Sequence, residues 1–96
     1  MKKLNTKICE VTIKSSFGLH ARPAATIAKI TRNAEGSVWI VDGDNRADAS
    51  SVIDILTINA KRGKSLVLEV ESEKDVHLLE DLADFFKSGF GENTDG

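Results

Sequence analysis

The residues best suited to chemistry lie in "SSFGLHARPAATIAKI" (15–30), where His20 stands at the start of a helix, Arg22 follows two places on and Pro23 comes next. An ordinary imidazole, with a pKa near ~6.5, is mostly neutral at pH 7 and keeps one lone pair free. Such a group is a competent nucleophile toward phosphorus. A helix N-terminus offers unpaired backbone N–H groups, that of Ala21 among them, and a partial positive charge that would hold phosphoryl oxygens. Arg22 can add charge-assisted hydrogen bonds to the same oxygens. Gly18 leaves no side chain beside the site and frees the backbone to turn sharply. Leu19 would anchor that turn in apolar contacts. A phosphoryl group on His20 would be stabilised there yet stay near the surface, where a partner could remove it. The same residues also have an ordinary explanation: a histidine and an arginine at a helix start are commonly just solvated. Pro23 is accounted for by helix geometry alone, because the amide it lacks would have no intrahelical partner in the first turn.

The elements that must position these residues follow from periodicity. "KICEVTI" (7–13) alternates Cys9, Val11 and Ile13 against Glu10 and Thr12, the pattern of a half-buried strand. From Ala21, the residues Ala24, Ile27, Ala28 and Thr31 recur at helical spacing, with Arg22, Lys29 and Arg32 on the other face. "NAEG" (33–36) ends this helix, with Gly36 able to take a left-handed conformation. "SVWIVD" (37–42), "DGDN" (42–45) and "RADA" (46–49) read as a strand, a tight turn and a second strand. Local pattern does not decide whether Val38 and Ile40 or Trp39 and Val41 face the helices. "SSVIDILTINAKRG" (50–63) predicts a short capped helix with Val52, Ile55 and Leu56 on one stripe, ending near Asn59. "KSLVLEVE" (64–71) is a strand. "SEKDVHLLEDLADFFKSG" (72–89) predicts a helix with a serine or aspartate cap and an apolar face of Val76, Leu79, Leu82, Ala83 and Phe86. Residues 92–96, "ENTDG", read as a frayed tail.

The order β-α-β-β-α-β-α, with alternating rather than wholly apolar strands, predicts an α/β (α+β) open-faced two-layer sandwich. A four-stranded antiparallel sheet would carry three helices on one face.

Bulk properties agree with a small folded unit. The 96 residues fit one domain, and 41% hydrophobic with 29% charged residues is a globular composition. No apolar run approaches the ~20 residues of a membrane span. "MKKLNTKICE" has a basic start without an apolar stretch behind it, so no secretory signal is expected. Cys9 is the only cysteine, which fits a reducing compartment and a cytoplasmic location. Thirteen basic against 15 acidic residues give a net charge of −2, and no aromatic pair suits base stacking, so nucleic acid is a poor candidate partner. Two histidines and one cysteine, far apart, do not make a metal site. His77 reads as a solvated residue in the last helix, Cys9 as a small core residue, and Trp39 as a candidate for the open sheet face. Ser51 is most simply a helix cap, a part that Ser50 could also play.

"GLHARPAA" (18–25) resembles the active-site signature of the HPr family, the histidine-containing phosphocarriers of the bacterial phosphoenolpyruvate:sugar phosphotransferase system. "SSVIDILTINAKRG" resembles that family's regulatory-serine segment and "KSGFGE" its C-terminal ending, so the likeness runs over about residues 7–92. The resemblance implies that His20 accepts phosphate through Nδ1, that Arg22 supports the transfer, and that Ser51 is the regulatory serine. It further implies that Val52 and Ile53 dock on partners, and Leu56, where exposed, would extend that docking surface. Those partners would be enzyme I, enzyme IIA domains and an HPr kinase/phosphorylase, with the protein a monomeric carrier rather than an enzyme, without cofactor or metal. Departures cluster at the second helix: Asp54 where a small residue is usual, Asn59 for a glycine or alanine, and Ser50 for a frequent lysine. They add negative charge near Ser51. The alternative function is a regulatory binding module, controlled by phosphorylation of Ser51 and acting on kinases or transcription regulators.

Overall fold

A computed structural model describes residues 7–92. The readings of residues 1–6 as free of a secretory signal and of residues 93–96 as frayed fall outside those described. The elements follow in the order β1 (Lys7–Thr12), α1 (Ala21–Thr31), β2 (Val38–Asp42), β3 (Asn45–Asp48), α2 (Val52–Leu56), β4 (Ser65–Val70) and α3 (Val76–Lys87), with one 3-10 turn, Glu73–Asp75, leading into α3.

The strands lie in the order β1-β4-β2-β3, and every neighbouring pair is antiparallel. The last strand in sequence therefore fills the middle of the sheet. Leu68 stands opposite Cys9 on one side and Ile40 on the other. Leu66, Leu68 and Val70 of β4 are buried, as are Val38 and Ile40 of β2, so it is Val38 and Ile40 that face the helices. Ala24 and Ile27 of α1 join them in the core, as do Leu78, Leu79, Leu82 and Phe86 of α3, and Pro23, Ala28 and Thr31 of α1 are buried as well. Full burial of each large aliphatic or aromatic side chain contributes about 1.5–3 kcal/mol. That packing, not intrinsic propensity, holds a helix as short as the five-residue α2. Cys9 is half-buried and packs against the core.

The opposite face of the sheet is open. Trp39 lies on it, where its indole N–H donates to Glu71 Oε2 at 2.8 Å. The Arg46 guanidinium stacks 4.0 Å above the ring. Tryptophan there is a lid over exposed strand, tied down by a carboxylate and a cation.

Three local expectations are corrected, and of the two caps offered for the last helix the serine is the one found. Gly36 is not left-handed: the positive-φ glycines are 18, 43, 63, 89 and 91 among the described residues. Gly36 instead passes close to Ser72, where an added Cβ would lie 3.1 Å from the serine Cβ. Asp75 does not cap α3 with its side chain. Its buried carboxylate accepts the N–H groups of Glu35 and Gly36 at 2.9 and 2.8 Å, pinning the α1–β2 connection, while Ser72 caps the 3-10 turn. Helix α2 stops at Leu56, short of Asn59, and Leu56 is exposed while Val52 is half-buried, so its apolar stripe is mainly Ile55. Glu92, read as the first residue of a frayed tail, is held inside the site described next.

Candidate functional site

The segment between β1 and α1 is fixed at each step. Ile13 donates its N–H to the Lys64 carbonyl at 2.9 Å and accepts from Gly63 at 2.8 Å. The Ser15 carbonyl accepts the Gly18 N–H at 3.1 Å, closing a four-residue turn. Gly18 has φ +71°, and a Cβ there would lie 2.7 Å from the Ala60 carbonyl oxygen. Glycine is thus required both by the backbone conformation and by the close approach. Leu19 donates to that same carbonyl at 2.9 Å and buries its side chain, the anchor its apolar character predicts.

His20 is the residue before the first turn of α1, extended at φ −116° and ψ −171°, and its carbonyl accepts from Ala24 at 3.0 Å. Its imidazole caps no helical N–H. Instead the ring reaches across to the segment that follows α3, with Nε2 2.7 Å from Glu92 Oε2. The other carboxylate oxygen of Glu92, Oε1, accepts the hydroxyl of Ser15, which is fully buried and also accepts the Phe17 N–H at 3.1 Å. The Glu92 side chain is 10% exposed and that of His20 35%. The Glu92 carboxyl is held below its ordinary value, first by the Ser15 hydroxyl and then by His20 and the charge of Arg22, with desolvation opposing.

This geometry assigns the imidazole tautomer. An ionised carboxylate only accepts, so Nε2 must supply the hydrogen. In the neutral ring the lone pair then lies on Nδ1. Among the described residues, Nδ1 has no hydrogen-bond partner. One ring nitrogen is tied to a carboxylate and the other is left as a nucleophile at a helix start. If Nδ1 bonds to an electrophile, the ring becomes cationic and faces the Glu92 carboxylate.

Around the ring, Ala21 is the first helical residue and Arg22 stands exposed beside it, in no ion pair among the described residues. Phe17 meets the imidazole edge-to-face, centroids 5.9 Å apart at 73°, while 72% exposed. The loop and the first turn of α1 thus bring together Gly18, His20, Ala21 and Arg22. Reading the sequence missed Ser15, Phe17 and Glu92.

The second group of predicted residues lies on α2. Ser51 is its N-cap, with Oγ accepting the Asp54 N–H at 3.2 Å. The Asp54 carboxylate turns back to accept the Asp48 N–H at 2.7 Å. The Asp48 carboxylate accepts both the N–H and the hydroxyl of Ser50, at 2.9 and 2.7 Å. The two carboxylates thus bond to the residues on the N-terminal side of Ser51, and the Ser51 hydroxyl itself contacts only the Asp54 N–H among the described residues. Ile53 is 80% exposed and Leu56 37%, whereas Val52 packs partly inward. Asn59 has φ +52°, so it fills a left-handed position that asparagine tolerates better than most side chains. Helices α1 and α2 pack together, and the buried Thr31 hydroxyl of α1 donates at 2.7 Å to the carbonyl of Ala49 in the β3–α2 connection.

His77 is exposed, as its place on α3 suggested. Among the described residues, no group of three His, Cys, Asp or Glu side chains could hold a metal ion. Nor is any helix among them long and apolar enough to cross a membrane.

Comparison with known proteins covers most of the chain. The family model described as "PTS HPr component phosphorylation site" matches residues 8–88. The phosphocarrier protein HPr of Chlamydia trachomatis is 31% identical over 81 residues, 84% of this chain and 74% of the relative. The phosphocarrier protein NPr of Klebsiella oxytoca is 29% identical over 84 residues, 86% of this chain and 93% of the relative. Among solved structures, HPr-C-His from Thermoanaerobacter tengcongensis superposes with a TM-score of 0.83 at 28% identity, covering 91% of this chain and 98% of that one.

Proposed function

The chain belongs to the HPr family of phosphotransferase-system phosphocarriers, and from that premise we propose that it carries the phosphoryl group on His20 Nδ1. The family consists of carriers, not enzymes, so the protein is a co-substrate of the proteins that load and unload it. Phospho-enzyme I would be the donor and an enzyme IIA domain the acceptor, in the cytoplasm, with the protein acting as a monomer.

One observation carries this reading: Nε2 is held by Glu92 at 2.7 Å, which leaves the Nδ1 lone pair free. In the loading step that lone pair forms the N–P bond as the bond from phosphorus to the donor breaks, and the leaving electron pair stays with the donor. The Nε2 proton is not lost; it remains hydrogen-bonded to Glu92 while the ring gains positive charge. Arg22 and the N–H groups around Ala21, beside Gly18, would receive the phosphoryl oxygens. Unloading reverses each step. Regulation through Ser51 by an HPr kinase/phosphorylase would add a phosphate to a stretch whose carboxylates, those of Asp48 and Asp54, already bond to Ser50 and to the Asp48 N–H.

The test is labelling. Incubation with phosphoenolpyruvate and enzyme I should give one acid-labile, base-stable phosphoryl adduct, absent from a folded His20→Ala variant. Label that survives in His20→Ala, or that resides on His77, contradicts the proposal.

A further inference from the structure

We infer that Phe17 is a docking residue, the aromatic anchor by which a protein exchanging phosphate with His20 seats itself; this rests on the carrier reading above. Of the four phenylalanines, Phe86 and Phe90 are buried and Phe85 is half-buried, while Phe17 is 72% exposed. A lone exposed aromatic is unremarkable in itself. Two further observations give this one meaning.

The first is its place. The Phe17 ring centroid lies 5.9 Å from that of His20, edge-to-face. In-line transfer brings the reacting atoms of donor and carrier to about 3–3.5 Å. A protein that comes so close to the His20 ring must also cover the ring beside it. The second is its rigidity. The Phe17 N–H is held by the Ser15 hydroxyl at 3.1 Å, within a turn closed by the Ser15 carbonyl and the Gly18 N–H. Ser15 is itself buried and bonded to Glu92. The aromatic side chain is therefore presented from a backbone that is already ordered, and little backbone entropy is lost when it is covered. Large aromatics in such positions dominate transient interfaces. The partner it fits is a protein with an apolar recess beside its own phosphoryl-bearing side chain.

Two reactions separate docking from an effect on the histidine: transfer from phospho-enzyme I, which must dock, and labelling of His20 by phosphoramidate, a small donor that need not. In Phe17→Ala, the KM for this protein as substrate of phospho-enzyme I should rise tenfold or more, with kcat changed far less. The phosphoramidate rate should fall much less than the protein-mediated kcat/KM. Phe17→Leu should recover part of the loss and Phe17→Ser none. An unchanged KM in Phe17→Ala overturns the inference, and so does an equal fall in both reactions, which would mean that Phe17 acts on the imidazole itself. Failure of the unmodified protein to be loaded by enzyme I, with phosphoramidate labelling intact, overturns the carrier reading and this inference with it.

Discussion

Glu92 Oε2 lies 2.7 Å from His20 Nε2, joining residues 72 positions apart in the chain. The contact brings the segment after α3 over the start of α1 and leaves Nδ1 as the imidazole nitrogen with a free lone pair. A hydrogen bond to a charged group is worth about 1.5–3 kcal/mol. Glu92→Ala should therefore slow loading of His20 by phospho-enzyme I roughly ten- to a hundredfold, while Glu92→Gln, which still offers an acceptor, should lose less. Loading rates for Glu92→Ala equal to those of the unmodified protein would reduce Glu92 to a packing role.

The same contact predicts a pH dependence of stability. The Glu92 carboxyl is held below its ordinary value of 4.5, chiefly by Ser15. A depressed carboxylate stabilises the fold above its unfolded value, and that contribution is lost as the pH falls through the folded one. Glutamine cannot ionise. The Tm of the unmodified protein should thus exceed that of Glu92→Gln at neutral pH, and the gap should narrow once the pH falls below 4.5. Melting curves between neutral and acid pH measure this directly; a gap that stays constant would deny Glu92 its ionised role.

Most of the architecture was legible in the sequence because it rests on local periodicity. Alternation in 7–13 and 64–71 marked β1 and β4, and the spacing of Ala24, Ile27, Ala28 and Thr31 marked α1. His20 and Arg22 were legible because four of the residues around them, Gly18, Leu19, Ala21 and Pro23, are adjacent in the chain. Glu92 was not, since nothing local says that residue 92 returns to residue 20. A weak signal was present. Gly89 and Gly91 are both left-handed at φ 72°, and Phe90 between them adopts φ 63° and buries its ring against Phe86 at 5.0 Å. A large apolar residue between two glycines, followed by an acid, describes a chain that turns back on its own core. The end of α2 was misjudged for the opposite reason: Thr57 and Ile58 could extend a helix, and only the left-handed Asn59 shows that the chain has left it.

Gly18→Ala isolates the turn that delivers His20. The new Cβ would meet the Ala60 carbonyl oxygen at 2.7 Å on a backbone at φ +71°. Such strain costs roughly 1–3 kcal/mol, and each kcal/mol lowers the Tm of a domain this size by about 4–8 °C. A Tm within a degree of the unmodified protein would mean that the turn relaxes freely.

Ser51 separates a cap from a regulatory site. Ser51→Ala should cost about 1 kcal/mol through loss of the bond to the Asp54 N–H. Ser51→Asp keeps an acceptor at the N-cap, so it should melt near the unmodified protein. If partners approach α2 with acidic surfaces, Ser51→Asp should also be loaded by phospho-enzyme I several-fold more slowly at low salt, where repulsion is least screened. With Asp48 and Asp54 already present, the effect should be moderate. Equal loading rates at low salt would leave Ser51 a cap alone.

The most direct test of the account is to identify the phosphorylated nitrogen. Uniformly 15N-labelled protein, loaded by phosphoenolpyruvate and enzyme I, should show phosphorus coupling to the Nδ1 resonance of His20, with Nε2 still bearing its proton. Coupling to Nε2 of His20, or to either nitrogen of His77, would contradict it, because Nε2 of His20 is the atom that Glu92 holds.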